Sequence, residues 1–201
     1  MAKRRKTVKK RKVGAAASRL SPLDESDMTP AQIALRDSIM ASRGKVVLGG
    51  PFAVYVRAPE YGDLAQRLGA HCRYRSGIEP RLSEFAILTV ARLWRAQFEW
   101  YAHAPIAEKA GVGPQTIRDL RAGRVPKTAA RDERALYDFI TELYKRKRVA
   151  QKTYDRVHAL LGENGMIEFT GILGYYALIS ITLNVFRMPL PEGEQPPFAE
   201  P

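Results

Sequence analysis

The stretch from Met166 to Phe186 most restricts what this chain can fold into. Ile167, Phe169, Ile172, Leu173, Tyr175, Tyr176, Leu178, Ile179, Ile181, Leu183, Val185 and Phe186 make it nearly all apolar. Its length is close to that of a membrane-crossing helix. A helix apolar all round belongs in lipid, at the centre of a bundle, or in an oligomer interface. Glu168, Gly171, Gly174, Ser180, Thr182 and Asn184 interrupt the run, no basic flank precedes it, and there is no second such segment. The reading is therefore a helix buried in protein and ended by Pro189 and Pro191.

The rest of the chain also reads as helix. Thr29 is a good N-cap and Pro30 suits the first helical position. Leu35 and Ile39 share one face of that helix, Ile33 and Met40 another, and Gly44 ends it. Gly49-Gly50-Pro51 is a turn before the short apolar run Phe52 to Val56. Pro59 starts a helix through Leu64 and Leu68 to near Arg73, and Ser76-Gly77 and Pro80 break the chain. Gln115 to Ala122 is short and stopped by Gly123. Asp132 to Arg146 places Leu136, Ile140, Leu143 and Tyr144 on one face. Gln151 to Leu161 is a further helix, closed by Gly162 and Gly165. The best strand candidate, Lys45 to Leu48, is too short to define a sheet, so the class is all-α.

Composition divides the chain. The sequence has 201 residues and a net charge of +12, yet residues 1–19 hold nine of its lysines and arginines and no acid. The remainder is nearly balanced, with 24 basic and 21 acidic residues. Basicity therefore belongs to a tail rather than to a folded nucleic-acid surface. The expected organisation is a disordered basic tail over 1–27, one helical domain over 28–191 and a Pro-rich extended tail over 192–201. The tail is a solvated element or a weak, salt-sensitive attractor of nucleic acid. One cysteine, Cys72, excludes an intramolecular disulfide and a cysteine-based zinc site. No apolar signal segment follows the basic start, so a cytoplasmic location without membrane association is expected.

Leu82 to His103 carries the chemistry. This mostly apolar stretch, unlike the first in its charges, holds Glu84, Glu99 and His103, and buried carboxylates and imidazoles are expensive unless paired. Glu99 and His103 are four residues apart and share a helix face. They form either a plain helical ion pair or part of a reaction centre. Trp94, Phe98, Trp100 and Tyr101 read as core or pocket wall. His71 and His158 have no motif around them. Glu84-Phe85 is echoed by Glu168-Phe169, which is either coincidence or a trace of an internally duplicated helical unit.

Pro80-Arg81-Leu82-Ser83-Glu84-Phe85-Ala86-Ile87-Leu88, Ala91-Arg92, Glu99-Trp100-Tyr101-Ala102-His103, Ala110-Gly111-Val112, Ile117 and Leu120-Arg121-Ala122-Gly123 together resemble the carboxymuconolactone decarboxylase family, related to the AhpD-type alkylhydroperoxidases. The resemblance covers roughly Pro51 to Pro191. It implies an AhpD-like helical bundle assembling as a dimer, trimer or hexamer. It also implies a turn near Leu93 to Ala96, where no Gly or Pro marks one. In the AhpD branch a Glu, a Cys-x-x-Cys pair and a His form the motif. Glu84 and His103 fall on the Glu and His, while Ala96 and Glu99 stand where the cysteines would be. Thiol peroxidase chemistry needs a thiolate nucleophile and a resolving thiol, and neither is there.

The resemblance therefore implies a cofactor-independent, metal-free enzyme, of carboxy-lyase rather than peroxidase type, that moves protons on a small carboxylated or lactone-type substrate. Glu84, Glu99 and His103 are its expected catalytic set, and Arg81, Arg92 and Trp100 its expected substrate-binding residues. Two rival readings stand beside it. One is a Cys-depleted alkylhydroperoxidase-like protein with residual or no peroxidase activity. The other is a non-catalytic oligomeric binding protein with a tail that attracts nucleic acid.

Overall fold

The computed structural model describes residues 17–43 and 49–199. The expected strand at Lys45 to Leu48 and most of the basic tail lie outside these residues. Among those described, the chain is all helix and contains no strand. The helices are α1 (Pro30–Arg43), α2 (Pro51–Tyr55), α3 (Pro59–Tyr74), α4 (Pro80–Leu93), α5 (Gln97–Lys109), α6 (Pro114–Arg121), α7 (Arg131–Arg146) and α8 (Gln151–Phe186).

Local signals set most of the boundaries. Thr29 closes a capping box on α1: its N–H donates to Gln32 Oε1 at 2.8 Å and its Oγ1 accepts from the Gln32 N–H at 3.3 Å. Proline opens α1, α2, α3, α4 and α6, where a missing N–H costs nothing. The turn between α4 and α5 lacks glycine. Arg95 makes it instead, with φ of 52°, and the Ala96 N–H reaches back to the Ala91 carbonyl at 2.9 Å. A left-handed non-glycine residue costs roughly 1–2 kcal/mol.

The centre of the fold is α4 rather than α8. Leu82 through Ala91 are buried without a break, and α4 packs against α5, α6, α7 and α8. Burying each large side chain such as Phe85, Ile87 or Leu88 contributes about 1.5–3 kcal/mol. The two helices expected over 151–161 and 166–186 join as α8, kinked at Gly162, whose φ of 66° and ψ of −179° suit only glycine. By length and composition α8 could cross a membrane, and half of its apolar window is buried inside the chain. Phe169, Ile172, Leu173 and Tyr176 face the core, while Ile167, Ile181 and Val185 are exposed. The expectation of a helix buried all round thus holds for one face only.

Both expected tails are tied down where the structure describes them. The Arg19 N–H donates to the Phe186 carbonyl at 3.0 Å and its guanidinium to the Val185 carbonyl at 2.8 Å. These groups fill the open carbonyls at the end of α8, where positive charge also favours the helix dipole. At the other end Phe198 is buried, and Gln97 binds both its carbonyl, at 2.8 Å, and its N–H, at 3.1 Å. The extended C-terminal segment is a strap across α5 and the end of α4.

Candidate active site

The Arg95 turn lays α5 back along α4, which brings together residues separated in the sequence. Glu84 comes from the second turn of α4, and Glu99 and His103 from one face of α5. His103 Nδ1 is 2.7 Å from Glu84 Oε2, and Nε2 is 3.1 Å from Glu99 Oε1. Exposure is 6% for Glu84, 4% for Glu99 and 4% for His103. Tyr176 of α8 presses edge-on against the imidazole at 5.2 Å between centroids.

The electrostatics follow from this geometry. Burial pulls the imidazole toward neutrality, but Glu99 and Glu84 outweigh it and raise the His103 pKa to about 9. The ring is therefore an imidazolium at neutral pH, with each N–H directed at a carboxylate. Such a buried ionic cluster is a poor way to gain stability, since desolvation offsets most of the attraction. Burial, with Glu99 and Glu84 adding to it, holds the Tyr176 phenol well above its ordinary pKa, so it stays protonated. Tyr55 and Tyr175 are raised in the same way, by burial first. The Tyr55 hydroxyl is buried with no hydrogen-bond partner.

The predicted Glu84, Glu99 and His103 thus meet, and the predicted substrate-binding residues do not join them. Arg81 is spent on carboxylates: Asp132 at 2.6 Å, Glu133 at 3.0 Å and Glu79 at 3.3 Å. It locks the start of α4 to the start of α7. Arg92 donates from Nε to the Arg121 carbonyl at 3.0 Å and lies over the Phe198 ring at 5.3 Å. Trp100 is 3% exposed and meets Phe198 edge-on at 5.3 Å, so it is a covered wall and not an open platform.

Sequence reasoning missed Tyr176, because nothing in an apolar helix marks the ring that will meet the imidazole. It also missed His71, which pairs with Glu168 at 2.8 Å. The echo between Glu84-Phe85 and Glu168-Phe169 therefore includes a histidine partner in both cases. The partner follows Glu84 in the chain but precedes Glu168, so the two arrangements differ in order.

Residues 59–142 match the carboxymuconolactone decarboxylase family. Over this stretch, under half of the chain, the sequence is similar to that family. The match holds α3 through most of α7 and includes Glu84, Glu99 and His103. No curated protein matches the chain by sequence. Among solved structures, a protein of unknown function from Agrobacterium tumefaciens, proposed there to be an antioxidant defence protein AhpD, is similar with a TM-score of 0.59. It is 20% identical, and the match covers 68% of this chain and 96% of that one. This likeness bears on the fold.

Ala96 and Glu99 stand where the resemblance would place the thiols of the peroxidase branch. The chain's one cysteine does not replace them. Cys72 is 2% exposed on α3, and burial, aided by Glu168, pushes its thiol up to about 11. A protonated, enclosed thiol is a poor nucleophile. Among the described residues no group of three or more His, Cys, Asp or Glu side chains is arranged to hold a metal ion.

Proposed function

We propose that the chain is a cofactor-independent enzyme that decarboxylates a small carboxylated or lactone-type molecule by proton transfer through Glu84, His103 and Glu99. The observation that carries this is the buried His103 imidazole held between the carboxyl groups of Glu84 and Glu99. Loss of carbon dioxide breaks a carbon–carbon bond and leaves its electron pair on the conjugated lactone. A proton must then reach carbon. Both His103 nitrogens are occupied, so the imidazolium acts as the proton reservoir and a carboxyl of Glu99 or Glu84 hands the proton on. Proton transfer of this kind contributes roughly 10²–10⁴-fold to rate. The lone, enclosed Cys72 weighs against the peroxidase alternative.

The reading includes homo-oligomerisation in the cytoplasm. Ile167, Gly171, Gly174, Leu178, Ile181 and Val185 of α8 recur at alternating steps of four and three, a spacing that suits helix-to-helix packing between copies.

Turnover of a carboxymuconolactone, followed by ultraviolet absorbance, tests the reaction. His103→Ala and Glu84→Gln should each lower the rate at least a hundredfold while circular dichroism stays unchanged. Wild-type rates in both variants would refute the assignment.

A further inference from the structure

A second polar site lies further along α4. Thr89, Arg92, Arg95, Arg124, Tyr137 and Thr141 help line a cleft of about 200 Å³ where the ends of α4 and α6 meet α7. Thr89 and Arg92 lie five and eight residues beyond Glu84. A rise of 1.5 Å per residue sets Arg92 roughly 12 Å along the helix from the Glu–His cluster.

The cleft holds three guanidiniums and no carboxylate among its lining residues. Only Arg124 has an acidic partner, Asp119 at 2.7 Å. Among the described residues Arg92 and Arg95 form no salt bridge. They bind backbone carbonyls instead: Arg92 that of Arg121 at 3.0 Å, and Arg95 that of Ala199 at 2.6 Å. Two positive charges on one concave surface are therefore uncompensated. Arg95 Nε is in addition buried without a hydrogen-bond partner. A buried charged donor left unpaired is costly, and an incoming acceptor would relieve it. The left-handed backbone at Arg95 fixes the position from which this side chain enters the cleft.

We propose that this cleft binds a compact oxyanion, a phosphate or carboxylate group that takes charge-assisted hydrogen bonds from Arg92 and Arg95. Guanidinium forks match both groups in a paired, planar geometry. The volume is below the about 300–1,000 Å³ of sites for drug-sized ligands. The ligand is therefore a small ion, or the anionic end of a larger molecule that extends into solvent. The site stands apart from the Glu–His cluster, and its test needs no turnover.

The test is isothermal titration calorimetry of the full chain at fixed ionic strength, with sodium phosphate in one arm and sodium malonate in the other. Saturable binding of at least one anion is expected. Tighter phosphate assigns a phosphoryl ligand, and tighter malonate a carboxylate one. Arg95→Gln should weaken the preferred anion at least tenfold, and Arg92→Gln likewise. Arg67→Gln, whose guanidinium pairs with Asp63 at 3.3 Å on α3, should leave binding unchanged. The basic N-terminus is common to all these proteins and cancels in the comparison. No saturable binding in either arm overturns the proposal. So does an Arg95→Gln protein that binds within twofold of wild type, or an Arg67→Gln loss as large as that of Arg95→Gln. Should Arg92→Gln fail to fold, Arg95→Gln decides alone.

Discussion

Replacing both carboxylates that hold His103, in the double variant Glu84→Gln/Glu99→Gln, should remove one limb from the stability–pH curve. In the folded wild type the imidazole has a pKa of about 9 against an ordinary 6.5. Between these values the folded state holds a proton that the unfolded state has released. Stability must therefore fall as pH rises through that window, by about 1.4 kcal/mol per pH unit for a single group. The whole contribution is present below pH 6.5 and gone above pH 9, and amounts to roughly 3 kcal/mol. Since the group is buried, solvent screening takes little from that figure. In the double variant the amides do not titrate, and burial alone acts on the imidazole, which moves below 6.5. The falling limb then disappears. Urea unfolding at pH 6.5, 7.5, 8.5 and 9 measures it, and subtracting the variant curve from the wild type cancels other titrations. Curves that stay parallel within about 0.5 kcal/mol would show that the two carboxylates do not hold His103 charged.

Other outcomes follow from single contacts. Arg81→Ala should destabilise the fold by about 3 kcal/mol in urea titration, because it leaves Glu133, 4% exposed, without its cation. Gly162→Ala should cost roughly 1–3 kcal/mol in the same assay, from backbone strain alone, since a Cβ there meets nothing within 4 Å. Phe198→Ala should cost about 3 kcal/mol and shift tryptophan emission to the red, because Trp100 loses its cover. Cys72→Ser should leave peroxide consumption at the wild-type level, and the native thiol should react with Ellman's reagent only as fast as the fold opens.

Helix positions were readable because their signals are local. The Thr29 cap, the prolines that open five helices and the glycine stops act within one turn of chain. Glu99 and His103 were readable as neighbours for the same reason, being four apart. That Glu84 joins them was expected from the spacing of a family motif and not from physics. The junction that brings it about is a left-handed arginine, which no propensity flags. Tyr176 and the partners of Arg81 depend on how α7 and α8 cross α4, and residue types do not encode that crossing. The C-terminal strap escaped notice because Pro-rich composition describes an extended backbone correctly yet is silent about a single phenylalanine that finds a hydrophobic seat. Hydrophobicity alone left α8 as either a bundle centre or an oligomer interface. The buried Glu84 lowers the apparent hydrophobicity of α4, although α4 is the more enclosed helix.

The bonds from Arg19 to Val185 and Phe186 span 166 residues or more of chain. During synthesis Arg19 lacks both of these acceptors until the last turn of α8 has left the ribosome. Until then α4 also lacks the face that α8 supplies, so a nascent chain carries an open apolar groove for most of its elongation. Such a chain reaches its final shape in one late step, and ribosome-stalled chains ending before α8 are where chaperone dependence should be greatest.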